Sequence, residues 1–400
     1  MTDADTQPKS DPRPFRRKVF YIPGYDPIHP RRYRELYRKE GAAQAAISGY
    51  SLALQPKKTP GPYGWHARTD QAEADVEVLL WSDIVRSSMQ QGIAATYLQL
   101  FRTAAAYVLT GALFRLMRLR KGPMIAALYP IGMLLLQLAL AVVLGWLAYR
   151  LGRIAHPALG AALGLALAYA TLRAFRAQDH RLYAYYLMHD YAYSAQSLGA
   201  NPPELEARMA QFRTSIAQAL TQDLHEVLVV GHSSGAHLAV SILADLLRTG
   251  LPPKRPALAL LTLGQVVPMI SFLPRANRLR ADLRYLSARD EITWVDVTAP
   301  GDGCAFALCD PVSVTGVAPP GKRWPLVLSA AFTQTLAPET WKALRWRFFR
   351  LHFQYLCAFD RPRDYDYFQI TAGPLTLADR YQDRAPSPGR IETPRSGYTN

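Results

Sequence analysis

Hydrophobic positions fall into three patterns along the chain. Short apolar runs bounded by charge or turn residues predict strands. KVFYI begins the first, from residue 18, and ends at the turn Pro23-Gly24; VEVLLWSD at 76–83 predicts a second. Helical periodicity at 31–48 separates them, followed by a proline-rich loop, QPKKTPGPYG. Residues 92–118 form a long apolar helical stretch with sparse arginines, which suits either a membrane interface or a packed core.

The middle of the chain differs in kind. IGMLLLQLALAVVLGWLAY (131–149) and IAHPALGAALGLALAYATL (154–172) carry no Asp, Glu, Lys or Arg. Nineteen helical residues reach about 28 Å, close to the hydrocarbon thickness of a bilayer. Two such segments with a short connection predict a transmembrane hairpin, and Gly160 and Gly164 in the second give the spacing that lets helices approach closely. Arg115, Arg118, Arg120 and Lys121 precede the hairpin and Arg173, Arg176 and Arg181 follow it, while Arg150 and Arg153 alone lie in the connection. That asymmetry places both ends on the cytoplasmic side, in a membrane of bacterial inner-membrane type.

Beyond the hairpin, DHRLYAYYLMHDYAYSAQ and PELEARMAQFRTSIAQAL have helical periodicity. The pattern then alternates: strand 225–231, helix 234–248, strand 257–264, helix about 275–286 and strand 292–298. Alternation of this kind predicts an α/β fold with a mostly parallel sheet and helices on both faces. The expected divisions are an N-terminal arm at 1–17, a first α/β part at 18–87, a helical insertion at 88–199, a second α/β part at 200–380 and a polar tail at 381–400.

Composition narrows the partners. A net charge of +15 favours an anionic surface, and the basic residues flank the hairpin and the tail without forming a nucleic-acid-reading motif. Cys304, Cys309 and Cys357 are an odd number and suit a reducing compartment; no second cluster completes a zinc site around the first two. The polar N-terminus lacks the apolar core of a secretory signal. No Walker loop or dinucleotide fingerprint is present, and the spacing of His180, His189 and Asp190 fits no familiar metal pattern, so neither metal nor cofactor is expected.

The chemistry concentrates in VLVVGHSSGAHLAV, residues 227–240. A buried-strand pattern runs into Gly231-His232-Ser233-Ser234-Gly235, and a helical pattern with small residues follows. This strand–turn–helix setting is what a nucleophile elbow requires, with Ser233 near a helix N-terminus that favours a developing anion. On these residues the chain resembles the α/β-hydrolase superfamily over roughly 18–87 and 200–375, with the hairpin inserted between the two parts. The resemblance implies a serine esterase or lipase-like enzyme whose triad runs nucleophile, acid, histidine along the chain.

Two histidines follow Ser233. His237 lies one turn further on the same helix, a poor position for a base that must approach from a separate loop. His352, in FFRLHFQYLCAFD, is the candidate general base. Asp302, in the turn after the strand ITWVDVT, is the candidate acid, with Asp296 inside that strand and Asp310 in CDPV as rivals. The resemblance assigns the oxyanion donors to the N–H of Ser234 and to Gly24 or Tyr25, where Pro23-Gly24 replaces the usual histidine-glycine loop. The expected function is membrane-anchored hydrolysis of hydrophobic esters, including lipid acyl esters, through a Ser-His-Asp triad. The competing expectations are a non-catalytic membrane protein that keeps the domain as a scaffold, and a soluble hydrolase whose apolar stretch forms a lid or dimer interface.

Overall fold

The structure, a computed structural model, describes residues 14–399. Most of the expected arm therefore lies outside the described residues, and its last three positions already belong to the first strand, β1 (Phe15–Ile22). The other strands are β2 (Ala53–Pro56), β3 (Gly64–Arg68), β4 (Ala72–Val78), β5 (Glu226–His232), β6 (Ala257–Leu263), β7 (Thr293–Thr298) and β8 (Leu326–Ser329). They form one mixed, mostly parallel sheet in the order β2-β3-β4-β1-β5-β6-β7-β8. Only β2–β3 and β3–β4 pair antiparallel.

The helices up to β7 are α1 (Arg31–Ser48), α2 (Ser82–Met89), α3 (Ile93–Leu109), α4 (Ala112–Met117), α5 (Lys121–Gly152), α6 (Pro157–Ala177), α7 (Asp179–Leu182), α8 (Ala184–Ala195), α9 (Pro203–Ala219), α10 (Gly235–Thr249), α11 (Val267–Ser271) and α12 (Asn277–Leu286). Alternation along the central strands sends apolar side chains to both faces of the sheet. Phe20, Val227, Val229, Leu258 and Trp294 pack under α9, α10 and α12. Val19, Tyr21, Leu228, Val230 and Val295 face α1 and the aromatic C-terminal segment that contains Tyr355, Phe359 and Phe368.

Several expectations change. The second strand is not 76–83 but Ala72–Val78, because Ala72, Ala74 and Val76 form its inner face while the chain turns into α2 at Ser82. The Trp81 indole N–H donates to the Pro23 carbonyl at 2.9 Å, tying that turn to the end of β1. The proline-rich loop is shorter than its composition suggests: β2 ends at Pro56 on the sheet edge, where a missing N–H costs no ladder bond, and β3 resumes at Gly64. The single helix at 92–118 is two, broken at Gly111, whose φ of 73° ends the first. The histidine- and tyrosine-bearing stretch is likewise split at Tyr183, with φ 55°. The polar tail crosses back over the sheet: Ser387 N–H donates to Val327 O and Asp310 N–H to Ile391 O, each at 2.9 Å.

Helices α5 and α6 are long and apolar enough to cross a membrane. They pack antiparallel against each other through glycines. A Cβ on Gly160 would stand 2.7 Å from Tyr149 O, one on Gly164 2.8 Å from Gly145 O, and one on Gly152 2.9 Å from Gly160 Cα. Their remaining surface is largely exposed, and the buried residues of α6 are Gly160 and Gly164 themselves.

Candidate active site

Four parallel strands, β1, β5, β6 and β7, end at the same edge of the sheet, and the loops beyond them carry the candidate residues. Clefts outside the carboxyl ends of such strands are the usual ligand sites of open α/β sheets.

Ser233 follows β5 directly and has φ 56°, a left-handed conformation that costs a non-glycine residue about 1–2 kcal/mol. Its N–H donates to Leu263 O at 2.9 Å, and its carbonyl accepts from Ala236 N–H at 3.1 Å. The flanking glycines make the turn possible. A Cβ on Gly235 would stand 2.2 Å from Ile22 O, and one on Gly231 would stand 2.7 Å from Ala236 Cα. The strain is therefore held by packing on both sides of the turn, and it leaves Ser233 partly exposed while the residues around it are buried.

His352 ends the short helix Phe348–His352, and its Nδ1 lies 2.8 Å from Asp302 Oδ2. It is brought towards Ser233 from two directions. Its ring centroid is 5.0 Å from that of His232, the residue before Ser233. Its Cε1 lies 3.2 Å from where a Cβ on Gly264 would stand, one residue beyond the Leu263 carbonyl that binds Ser233. The Ser233 hydroxyl forms no hydrogen bond among the described residues.

Asp302 is buried and fully engaged. Cys304 N–H donates to Oδ1 at 2.9 Å, while Tyr355 O–H donates to Oδ2 at 3.0 Å. Burial pushes its carboxyl upward, but His352, the Cys304 N–H and the Tyr355 hydroxyl outweigh it and hold the group below its ordinary value. An ionised Asp302 fixes the proton on Nδ1 and leaves Nε2 of His352 as the basic atom.

The rival carboxylates sit elsewhere. Asp296 points into the sheet, where Oδ1 accepts from Thr262 Oγ1 at 2.6 Å and Oδ2 has no partner; burial pushes it up to about 8. Asp310 caps the helix Pro311–Thr315, accepting from Val312 and Ser313 N–H, and pairs with Lys322. Neither touches His352 among the described residues.

The loop after β1 faces Ser233. A Cβ on Gly24 would stand 2.9 Å from Ser233 Cβ, so only glycine allows this approach. Tyr25 N–H is already committed, donating to Ser234 Oγ at 2.8 Å. The N–H groups of Gly24 and Ser234 have no acceptor among the described residues, so both are free to donate to a ligand oxygen. Ser234 thus acts twice, with its backbone at the site and its hydroxyl holding the opposite loop.

His232 was not singled out by sequence. Its Nε2 lies 3.0 Å from the His352 carbonyl, which can only accept, so Nε2 carries the proton. Burial and the neighbouring His352 push its pKa down to about 3, keeping it a neutral strut beneath the base. The signal available was its place inside GHSSG, where two ring nitrogens must find partners in a buried turn.

Asp302, Cys304 and His352 place three donor atoms within 4.8 Å of one another. They fit a metal poorly: burial and the nearby Asp302 and Asp190 carboxylates raise the Cys304 thiol well above its ordinary value, and His352 Nδ1 is committed to Asp302. His189 is buried against Gln99 with its pKa pushed down to about 4, apart from His180, which is mostly exposed.

Compared with protein-family models, curated proteins and solved structures, the chain matches none.

Proposed function

We propose that this chain is a serine hydrolase of α/β-hydrolase type that cleaves carboxylic esters through a covalent acyl-enzyme. The observation that carries the proposal is the His352–Asp302 pair set beside Ser233 on a left-handed turn between β5 and α10. Ser233 Oγ attacks the ester carbonyl, and its proton passes to His352 Nε2. Asp302 orients the imidazole and stabilises its protonated form. The N–H groups of Ser234 and Gly24 receive the carbonyl oxygen as it becomes negative. His352 then returns its proton to the leaving alkoxide, and a water activated by the same nitrogen releases the acid.

The α5–α6 hairpin anchors the enzyme in a bilayer, with the catalytic domain on the cytoplasmic side, where seven basic residues flank the hairpin against two in its connection. Exposed Phe101 and Leu109 on α3 and Phe114 on α4 extend the apolar surface of the hairpin. A cavity of about 160 Å³ opens between α3, α5 and α8, lined by Tyr107, Met124, Ile131, Met188 and Met269. These features support an amphiphilic or lipid ester as substrate.

The test is labelling of detergent-solubilised protein with a fluorophosphonate probe. Wild type is expected to label and Ser233→Ala is not. Absence of labelling in wild type, or equal labelling of the variant, would leave the domain as a scaffold.

A further inference from the structure

A second, polar cavity lies directly behind the candidate oxyanion donors. It is lined by Tyr25 and Ser234 from the site, His237 from α10, Trp81, and Asp190 and Tyr193 from α8. Helix α8 belongs to the insertion, so the hairpin-bearing segment contributes part of the wall. The Tyr186 hydroxyl donates to Tyr25 O at 2.6 Å and locks α8 onto the loop after β1.

Three polar groups on this wall have no protein partner among the described residues. Asp190 has neither a hydrogen bond nor an ion pair among the described residues. His237 is more than nine-tenths buried, its Nδ1 has no partner, and the Tyr193 hydroxyl is likewise alone. Burial pushes His237 down to about 3, so its ring is neutral and offers a lone pair. No lysine or arginine lines the cavity. Asp190 is half-buried, and its carboxylate, without a protein partner, is open to a cation that enters the cavity.

We propose that this cavity is a recognition site for a primary ammonium group, held by the Asp190 carboxylate and the neutral His237 ring against the Tyr25, Trp81 and Tyr193 aromatics. The inference rests on the serine-hydrolase reading for its place beside the reacting ester. Sign follows from the wall: acceptors and aromatic rings favour a cation and disfavour an anion. Size follows from the volume. About 20 Å³ holds one or two water-sized groups, which suits –NH3+ and is too small for a quaternary ammonium. Burial pushes Asp190 up to about 7, against the lowering influence of His352, and a bound cation supplies the counter-charge that favours its ionised form. Substrates would then be amphiphiles bearing a primary amine close to the scissile ester, or soluble amino esters.

Binding is measured by calorimetry on full-length Ser233→Ala in neutral detergent, using n-butylammonium, n-butanol and tetramethylammonium. n-Butylammonium is expected to bind at least tenfold tighter than the other two. Asp190→Asn is expected to abolish that preference and Asp190→Glu to retain part of it. Equal affinity for butylammonium and butanol, or an unchanged preference in Asp190→Asn, overturns the proposal. Dodecylammonium diluted into the micelles separates the sources. Asp190-dependent binding of it at least tenfold tighter than that of n-butylammonium identifies a membrane amphiphile, and comparable binding of both amines admits a soluble ester. Because this readout does not use Ser233, failure of probe labelling with intact amine binding removes only the hydrolase reading. Labelling without amine selectivity removes only the ammonium site.

Discussion

Helices α10 and α6 are both apolar, and both depend on glycines that admit no Cβ, yet they solve opposite problems. In α10 twelve of fifteen residues are buried, and Gly235 lets the helix press onto the carbonyl of Ile22. In α6 only Gly160 and Gly164 are buried, and the leucines point outward. The first helix uses its side chains to build a core, each fully buried leucine being worth roughly 1.5–3 kcal/mol. The second uses its backbone to meet α5 and leaves its leucines exposed. Hydrophobicity alone therefore does not say where a helix lies; the partners of its small residues do.

The largest break in this comparison comes at the catalytic end. His352→Ala is expected to slow fluorophosphonate labelling of Ser233 by about 10²–10⁴, the usual contribution of a positioned general base. An unchanged labelling rate would mean that the strained turn carries no proton-transfer chemistry.

The two buried carboxylates Asp296 and Asp302, six residues apart in the chain, should separate sharply. Asp302→Asn is expected to reduce labelling by a similar factor, because an amide no longer holds the proton on Nδ1. Asp296→Asn leaves labelling intact and raises stability. The folded-state pKa of Asp296 is raised to about 8, so the folded protein retains a proton that the unfolded chain releases near pH 4. Stability is therefore lost as pH rises through that window and is constant above it. Denaturation curves at pH 5 and pH 9 should show the gain from Asn at pH 9 and little at pH 5.

The outward-facing leucines supply a third test. Leu165 is 75% exposed and Leu136 63%. In water, Leu165→Arg should change stability by less than about 0.5 kcal/mol. In lipid, an arginine near the middle of a span costs about 2.5–3.5 kcal/mol of insertion. Loss of membrane-fraction recovery in Leu165→Arg and Leu136→Arg supports the anchor; full recovery of wild type in the soluble fraction without detergent removes it.

A smaller effect is expected from Ser234→Ala. It deletes the acceptor that holds Tyr25 N–H, worth about 1 kcal/mol, while keeping the backbone donor. A several-fold drop in labelling rate would show that the loop must be held in place; no change would show that the Trp81–Pro23 bond suffices.

Local pattern made much of this molecule legible. The alternation of apolar strands and helices after residue 225 gives β5, α10, β6, α12 and β7 within two residues of their ends, because each buries a face whose period is visible in the chain. GHSSG marked the turn, since its glycines answer to contacts only one strand away. The edge strand β2 and its neighbour β3 were hidden by prolines and by a sequence too short and polar to show alternation. Register against β4 is what creates them. Residues that act across the fold were equally hidden. Nothing near Asp302 reveals Tyr355 as its donor, and nothing near Asp190 shows that α8 carries it to a cavity behind Ser234. The sequence by itself determined the element types, the apolar hairpin and the strained serine turn, because these depend on neighbours along the chain. Only the tertiary structure decided which carboxylate meets His352, which N–H groups stay free, and which polar groups face an unfilled cavity, because each depends on loops that converge from distant strands.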